Sequence, residues 1–263
     1  MLLCEHPGWK TATHGRIRTV RTTADTWRVS ANQSITATRL GEGTDPAPHV
    51  DVYDPKILGE NTPTVLRAPL LGQGSVRRLR NPDLWDALAT GIIRQVIRAD
   101  QARLMYHRFC DAHGTATPSD LRAFPRAEAV LALNQEDFAT LGMAFKRRPL
   151  IAAAEAFLAL GSKWAELPPE DLVAEVQTVP RIGPWTAGAA VADVTGDFSL
   201  YPHGDMAVRK YAAQAAPVLD QPNDEATFAR WWRSFATTPA ELSTLTVLTL
   251  ALGGPRGQDR PPS

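Results

Sequence analysis

The chain has 263 residues, 44% of them hydrophobic, with 28 Lys+Arg against 28 Asp+Glu. That is apolar material for one large or two modest cores, and the formal charge of zero excludes a protein held to nucleic acid by overall charge alone. The two distant cysteines, Cys4 and Cys110, exclude a disulfide scaffold and suit a reducing cytoplasm, while the absence of a sustained apolar run argues against a secretory leader or a membrane partner.

From residue 1 to about residue 75 the chain reads as a small β-rich domain. Short β-leaning pieces at Arg16–Arg21, Trp27–Ala31, Ser34–Arg39 and His49–Tyr53 are separated by Gly, Asp, Asn and Pro turn signals, which predicts an antiparallel sheet. From 76 to 252 helical periodicity takes over. Asn81 is placed to cap and Pro82 to start a helix in which Leu84, Leu88, Ile92 and Val96 recur every four residues, one buried face. Eight arginines between Arg67 and Arg108, against three aspartates, read either as a basic face or as solvated helix sides. A helix follows over Ala102–Ala112 and short ones lead to Glu136–Leu141. Three cations, Lys146, Arg147 and Arg148, then precede a helix over Pro149–Leu160. Cations at a helix N-terminus oppose the dipole, which favours contact with a phosphate or a pairing acid. Residues 253–263 read as a disordered tail.

The most informative stretch is VPRIGPWTA, Val179 to Ala187. Leu172, Val173, Val176 and Val179 give the preceding segment an apolar helical face, Pro180 ends it, Gly183 permits a reversal and Pro184 suits the first position of a second helix. A hairpin between two helices presents backbone N–H groups and a helix N-terminus, a geometry that grips phosphate without side-chain charge; an ordinary corner of a helical domain has the same outline. One helix later comes YPHGDMAVRK, in which Asp205 heads the helix Met206–Ala215.

These segments resemble the helix-hairpin-helix DNA glycosylases, whose pattern reads roughly Leu-Pro-Gly-Ile-Gly-x-Trp-Thr-Ala and then Pro-x-x-Asp. LWDALATGIIRQVIRADQA and LGMAFKRR resemble two further family segments, and the likeness spans roughly residues 80 to 215. It is nearest to the bacterial 3-methyladenine II branch, in which a sheet-containing domain precedes the helices. Arg181 departs from the pattern by standing where the family has its first hairpin glycine. Two cysteines cannot build the four-cysteine iron–sulfur cluster of other branches, and no cofactor and no metal set is expected.

The resemblance implies a mainly helical protein with a small N-terminal antiparallel sheet, acting as a monomer on double-stranded DNA that contains a damaged base. It implies a monofunctional glycosylase of base excision repair that hydrolyses the N-glycosidic bond of alkylated purines. Asp205 would stabilise the positive charge that builds on the sugar, a task compatible with capping its helix. Trp185 would line the base pocket, although core filling is the commoner fate of a helical tryptophan. Trp185 also stands where backbone-cleaving relatives carry a lysine, which disfavours lyase activity. The resemblance assigns DNA contacts to Arg181, Ile182 and Gly183 of the hairpin, to Gln95, Val96 and Arg98, and to Lys146 and Arg147. Without it, Gln95 and Val96 read as an ordinary helix end. The alternative is a DNA-damage-binding protein that keeps the hairpin but not the chemistry.

Overall fold

The computed structural model describes residues 1–253; the expected tail from 254 onward lies outside them. Four strands, β2 (Lys10–Ala12), β3 (Gly15–Arg21), β4 (Thr26–Ala31) and β5 (Ile35–Arg39), form an antiparallel sheet in that order. Strict alternation builds β4: Trp27, Val29 and Ala31 are buried while Thr26, Arg28 and Ser30 face outward. A second sheet holds β1 (Leu2–Leu3), β7 (Val76–Leu79) and β6 (Val50–Tyr53), with β1 parallel and β6 antiparallel to β7.

The expected boundary at residue 75 is therefore not a break in the structure. β7 lies beyond it, and the helix α1 (Thr64–Gln73) before it packs against C-terminal helices. Leu3, Tyr53, Leu66, Leu70 and Val76 share one core with Phe228, Trp232 and Leu248. A buried polar network makes a second bond between the halves. Arg18 donates to Asp86 at 2.6 Å, Arg78 pairs with both Glu5 and Asp193, and Asn81 donates to Asp193 at 2.8 Å.

The helical part consists of α2 (Leu84–Arg94), α3 (Ala99–His113), α4 (Ala127–Leu131), α5 (Gln135–Thr140), α6 (Arg147–Trp164), α7 (Pro169–Val176), α8 (Pro184–Thr195), α9 (Met206–Ala215), α10 (Glu225–Arg233) and α11 (Pro239–Gly253). Asp83, not Asn81, caps α2, accepting from the amides of Trp85 and Asp86, because the Asn81 side chain is taken by Asp86, Asp193 and the Asp83 amide. α2 and α8 cross in close contact; Gly188 lets the Leu200 carbonyl approach, since a Cβ there would lie 2.6 Å from it. α11 is buried from Ser243 to Ala251 without a break, as expected of a helix that is apolar on all sides. Among the described residues no helix is long and apolar enough to cross a membrane.

Candidate active site and nucleic-acid edge

The hairpin forms between α7 and α8 as its residues dictate. The Ile182 amide donates to the Val179 carbonyl at 3.1 Å, Gly183 holds the N-cap position and Pro184 opens α8. Arg181 adopts φ 69°, in the left-handed region where glycine is free and other residues are strained. The departure from the family glycine therefore leaves the turn in its left-handed shape, now with an exposed guanidinium at the tip. Gly183 has φ −89°, and a Cβ built on it meets nothing within 4 Å. Its openness serves the space outside the protein, not its packing. Ile182 is a correction: its side chain is buried in the helical core and its amide is taken by the Val179 carbonyl.

A second loop, between α2 and α3, stands beside the hairpin. Gln95 ties the two together, its amide nitrogen donating to the Thr186 hydroxyl at 2.5 Å and the Arg181 carbonyl at 3.3 Å. Next to it Val96 has φ 59° and is fully exposed. A β-branched apolar residue in a left-handed backbone, projecting into solvent, costs about 1–3 kcal/mol, and nothing in the chain's own packing requires it there. Arg98 is exposed, with an ion pair to Asp100 that is solvent-exposed and so free to exchange.

Lys146 corrects the expected phosphate contact. A 3-10 turn over Ala144–Lys146 rotates this cation inward, where its ammonium donates to the carbonyls of Ile92 and Gln95 at 2.7 Å each. It completes the C-terminal end of α2 and props the Val96 loop from behind; burial lowers its pKa to about 8. Arg147 is half-buried with an unpartnered Nε, and the exposed neighbour of the turn is Phe145, which sequence reading passed over. The proposed basic face breaks up as well. Arg78 is interior and Arg80 pairs with Asp51, which leaves Arg98 and Arg181 as the exposed cations nearest the two loops.

Asp205 sits at the N-cap of α9, but its side chain makes no capping bond. One carboxylate oxygen instead accepts from the Tyr201 hydroxyl at 2.5 Å. Tyr201 is buried and its pKa is pushed well above the usual phenol value, by burial first and by the Asp205 charge second, which keeps it a donor. The other oxygen has no partner among the described residues. His203, two residues before Asp205, is fully buried and turned away, its Nε2 bonded to the Phe198 carbonyl; burial and Arg233 lower its pKa to about 4.

Tyr201, whose hydroxyl holds this carboxylate, lines a cavity of about 150 Å³ together with Ala207; Asp205 itself is not among the lining residues. Glu5 and Asp193 lie in its wall, Arg94 enters from the last position of α2, and Leu250 of α11 lines it as well. Trp185 is half-buried and its ring stands under the Arg94 guanidinium at 5.6 Å. Trp185 is thus neither core filling nor among the cavity-lining residues, but stacks on a residue that is. Arg94, Glu5 and Tyr201 carry no local sequence signal, because the fold brings them together from three distant segments.

No protein-family model matches the chain, and a search of curated proteins finds no match in sequence. Solved structures match it in fold. The 3-methyladenine DNA glycosylase of Archaeoglobus fulgidus superposes with a TM-score of 0.70 at 14% identity, covering 93% of this chain and 88% of that one. The 8-oxoguanine glycosylase/lyase of Clostridium acetobutylicum in its apo form gives 0.66 at 14% identity, covering 94% and 89%. The 3-methyladenine DNA glycosylase of Schizosaccharomyces pombe in complex with abasic DNA gives 0.54 at 18% identity, covering 72% and 91%. The chain therefore shares the fold of these solved DNA glycosylases, a helical core with a small N-terminal antiparallel sheet.

Proposed function

We propose that the protein is a DNA glycosylase of base excision repair that hydrolyses the bond between deoxyribose and a damaged base. The observation that carries this reading is Asp205, a carboxylate at a helix N-terminus with one oxygen held by Tyr201 and the other without a partner among the described residues, Tyr201 in turn lining a cavity of about 150 Å³. That volume is about half the lower limit of a typical drug-sized pocket and suits one heterocycle. Breaking the C1′–N bond builds positive charge on the sugar, which the carboxylate stabilises while it orients water. The hairpin N–H groups and Arg181 hold the phosphate backbone, and Val96 fills the gap left when the base turns out. Phe145 extends the apolar edge.

Alkylated purines are the substrates that the family resemblance favours. As cations they leave without further help, so Asp205 suffices. Trp185, in the place of a Schiff-base lysine, supports a monofunctional enzyme, and borohydride treatment on abasic DNA would then trap no covalent adduct. The enzyme acts as a monomer in the cytoplasm.

The test is base release from methylated duplex DNA, with wild type and Asp205→Asn compared at matched DNA binding. Release of 3-methyladenine or 7-methylguanine by wild type, reduced at least about 10²-fold in the variant, is expected. Binding without release by wild type would favour a damage-binding protein instead.

A further inference from the structure

The wall of the cavity holds an imbalance that a cationic base does not explain. Its two buried or half-buried carboxylates, Glu5 and Asp193, are both already paired with Arg78. Two other arginines in the same wall, Arg94 and Arg103, have neither a hydrogen-bond nor an ion-pair partner among the described residues. The cavity wall thus has spare N–H donors. A guanidinium offers five N–H donors and no acceptor, and it does not give up its proton at ordinary pH. Whatever fills the space beside Arg94 has to bring acceptors.

Arg94 is also held in place. Its guanidinium lies over the Trp185 ring, an arrangement that fixes the plane of the donors. Burial works against the charge of Arg94, but the surrounding Tyr201, Glu5, Asp205 and Asp193 outweigh it and raise its pKa.

Resting on the glycosylase reading, we propose that Arg94 is a base-reading residue that extends the substrate class to uncharged purines with a ring carbonyl, which depart as anions. A cationic alkylpurine becomes neutral as it leaves and gains nothing from a neighbouring guanidinium, which instead opposes its binding. An uncharged purine keeps the electron pair of the broken C1′–N bond, and the negative charge spreads over its ring nitrogens and carbonyl oxygen. Arg94 donates to that oxygen and stabilises the charge as it develops. The oxygen of water bonds to C1′ and its proton passes through Asp205 to solvent; the base anion takes a proton back from solvent, so the net change is hydrolysis. Arg94 itself stays protonated throughout. Asp205 serves the sugar and Arg94 the base, and only the second distinguishes one class of lesion from another.

The experiment compares single-turnover release of hypoxanthine and 8-oxoguanine, both uncharged, with that of 7-methylguanine, which carries the same 6-carbonyl on a cationic ring. Wild type, Arg94→Gln and Arg94→Lys are measured, with thermal melts to establish that each is folded. Wild type is expected to release at least one uncharged base. Arg94→Gln is expected to lower that rate roughly 10²-fold and to speed release of 7-methylguanine, with Arg94→Lys between the two. Equal losses on both classes would overturn the proposal, since a structural role predicts no selectivity. So would release of 7-methylguanine alone by wild type, a result available even if both variants fail to fold. Release of no base by wild type would remove the glycosylase reading itself.

Discussion

Val96 and Arg181 are the two non-glycine residues with positive φ among the described residues, and Gln95, adjacent to one, bonds to the carbonyl of the other. Strain at both points on one edge is hard to account for by folding, because neither side chain packs against the core. It is accounted for by a partner that needs an apolar prong and a cation at those places. Arg181→Gly removes the Cβ clash of the left-handed backbone and is expected to stabilise the protein by about 1 kcal/mol, measured as a higher urea midpoint. The same change removes one phosphate contact, so the slope of log affinity against log salt for duplex DNA is expected to fall by about 1. A gain in stability with an unchanged slope would mean that Arg181 does not touch DNA. The motif named the place of Arg181 but not its conformation, and the left-handed φ is what turns the departure into an argument for function.

At the scale of elements, the hairpin and the long helices were legible because their signals are local. Pro180, Gly183 and Pro184 mark the turn in so many residues, and α9 runs from Met206 to Ala215 as its pattern predicts. The strands β3 to β6 were legible from alternation between turn signals. β1 has two residues and therefore no period to read, and α1 carries Pro69 inside it, which hid a helix behind a breaker. Lys146 was misread because a run of three cations looks solvated, whereas the unpaired carbonyls at the end of α2 draw the first of them inward. Gly183 offers a test at this scale. With φ −89° and open space around its Cβ direction, Gly183→Ala is expected to leave stability within about 0.5 kcal/mol or raise it slightly. The added methyl group stands where a phosphate would approach, and binding to duplex DNA is expected to weaken in an electrophoretic titration. Unchanged binding would move the phosphate contact away from the hairpin.

Across the whole molecule, the cavity is assembled from the first residues of the chain, from α2, and from the region after α8, so no single segment announces it. The fold also buries imidazoles in neutral form. His203 is fully buried with its pKa lowered to about 4, and burial and Arg18 hold His6 well below its ordinary value. Unfolding returns these groups to the usual value of about 6.5. The unfolded chain then binds protons that the folded chain refuses, and stability is lost as pH falls from about 6.5 toward 4. In His203→Gln the amide replaces the donor to the Phe198 carbonyl without titrating. Between about pH 7 and pH 5 the wild type is expected to lose about 2 kcal/mol more than this variant in urea denaturation. Parallel losses would mean that His203 does not set the acid limit.

The two strained loops have one more consequence, for selection in the laboratory. A search for heat-resistant variants scores folding alone, and the glycine substitutions at positions 96 and 181 are ready improvements by that score. Such a search would enrich chains that stand up well to heat and have been blunted at the edge that meets DNA. A screen run in cells under DNA damage would keep Val96 and Arg181 and look for stability elsewhere.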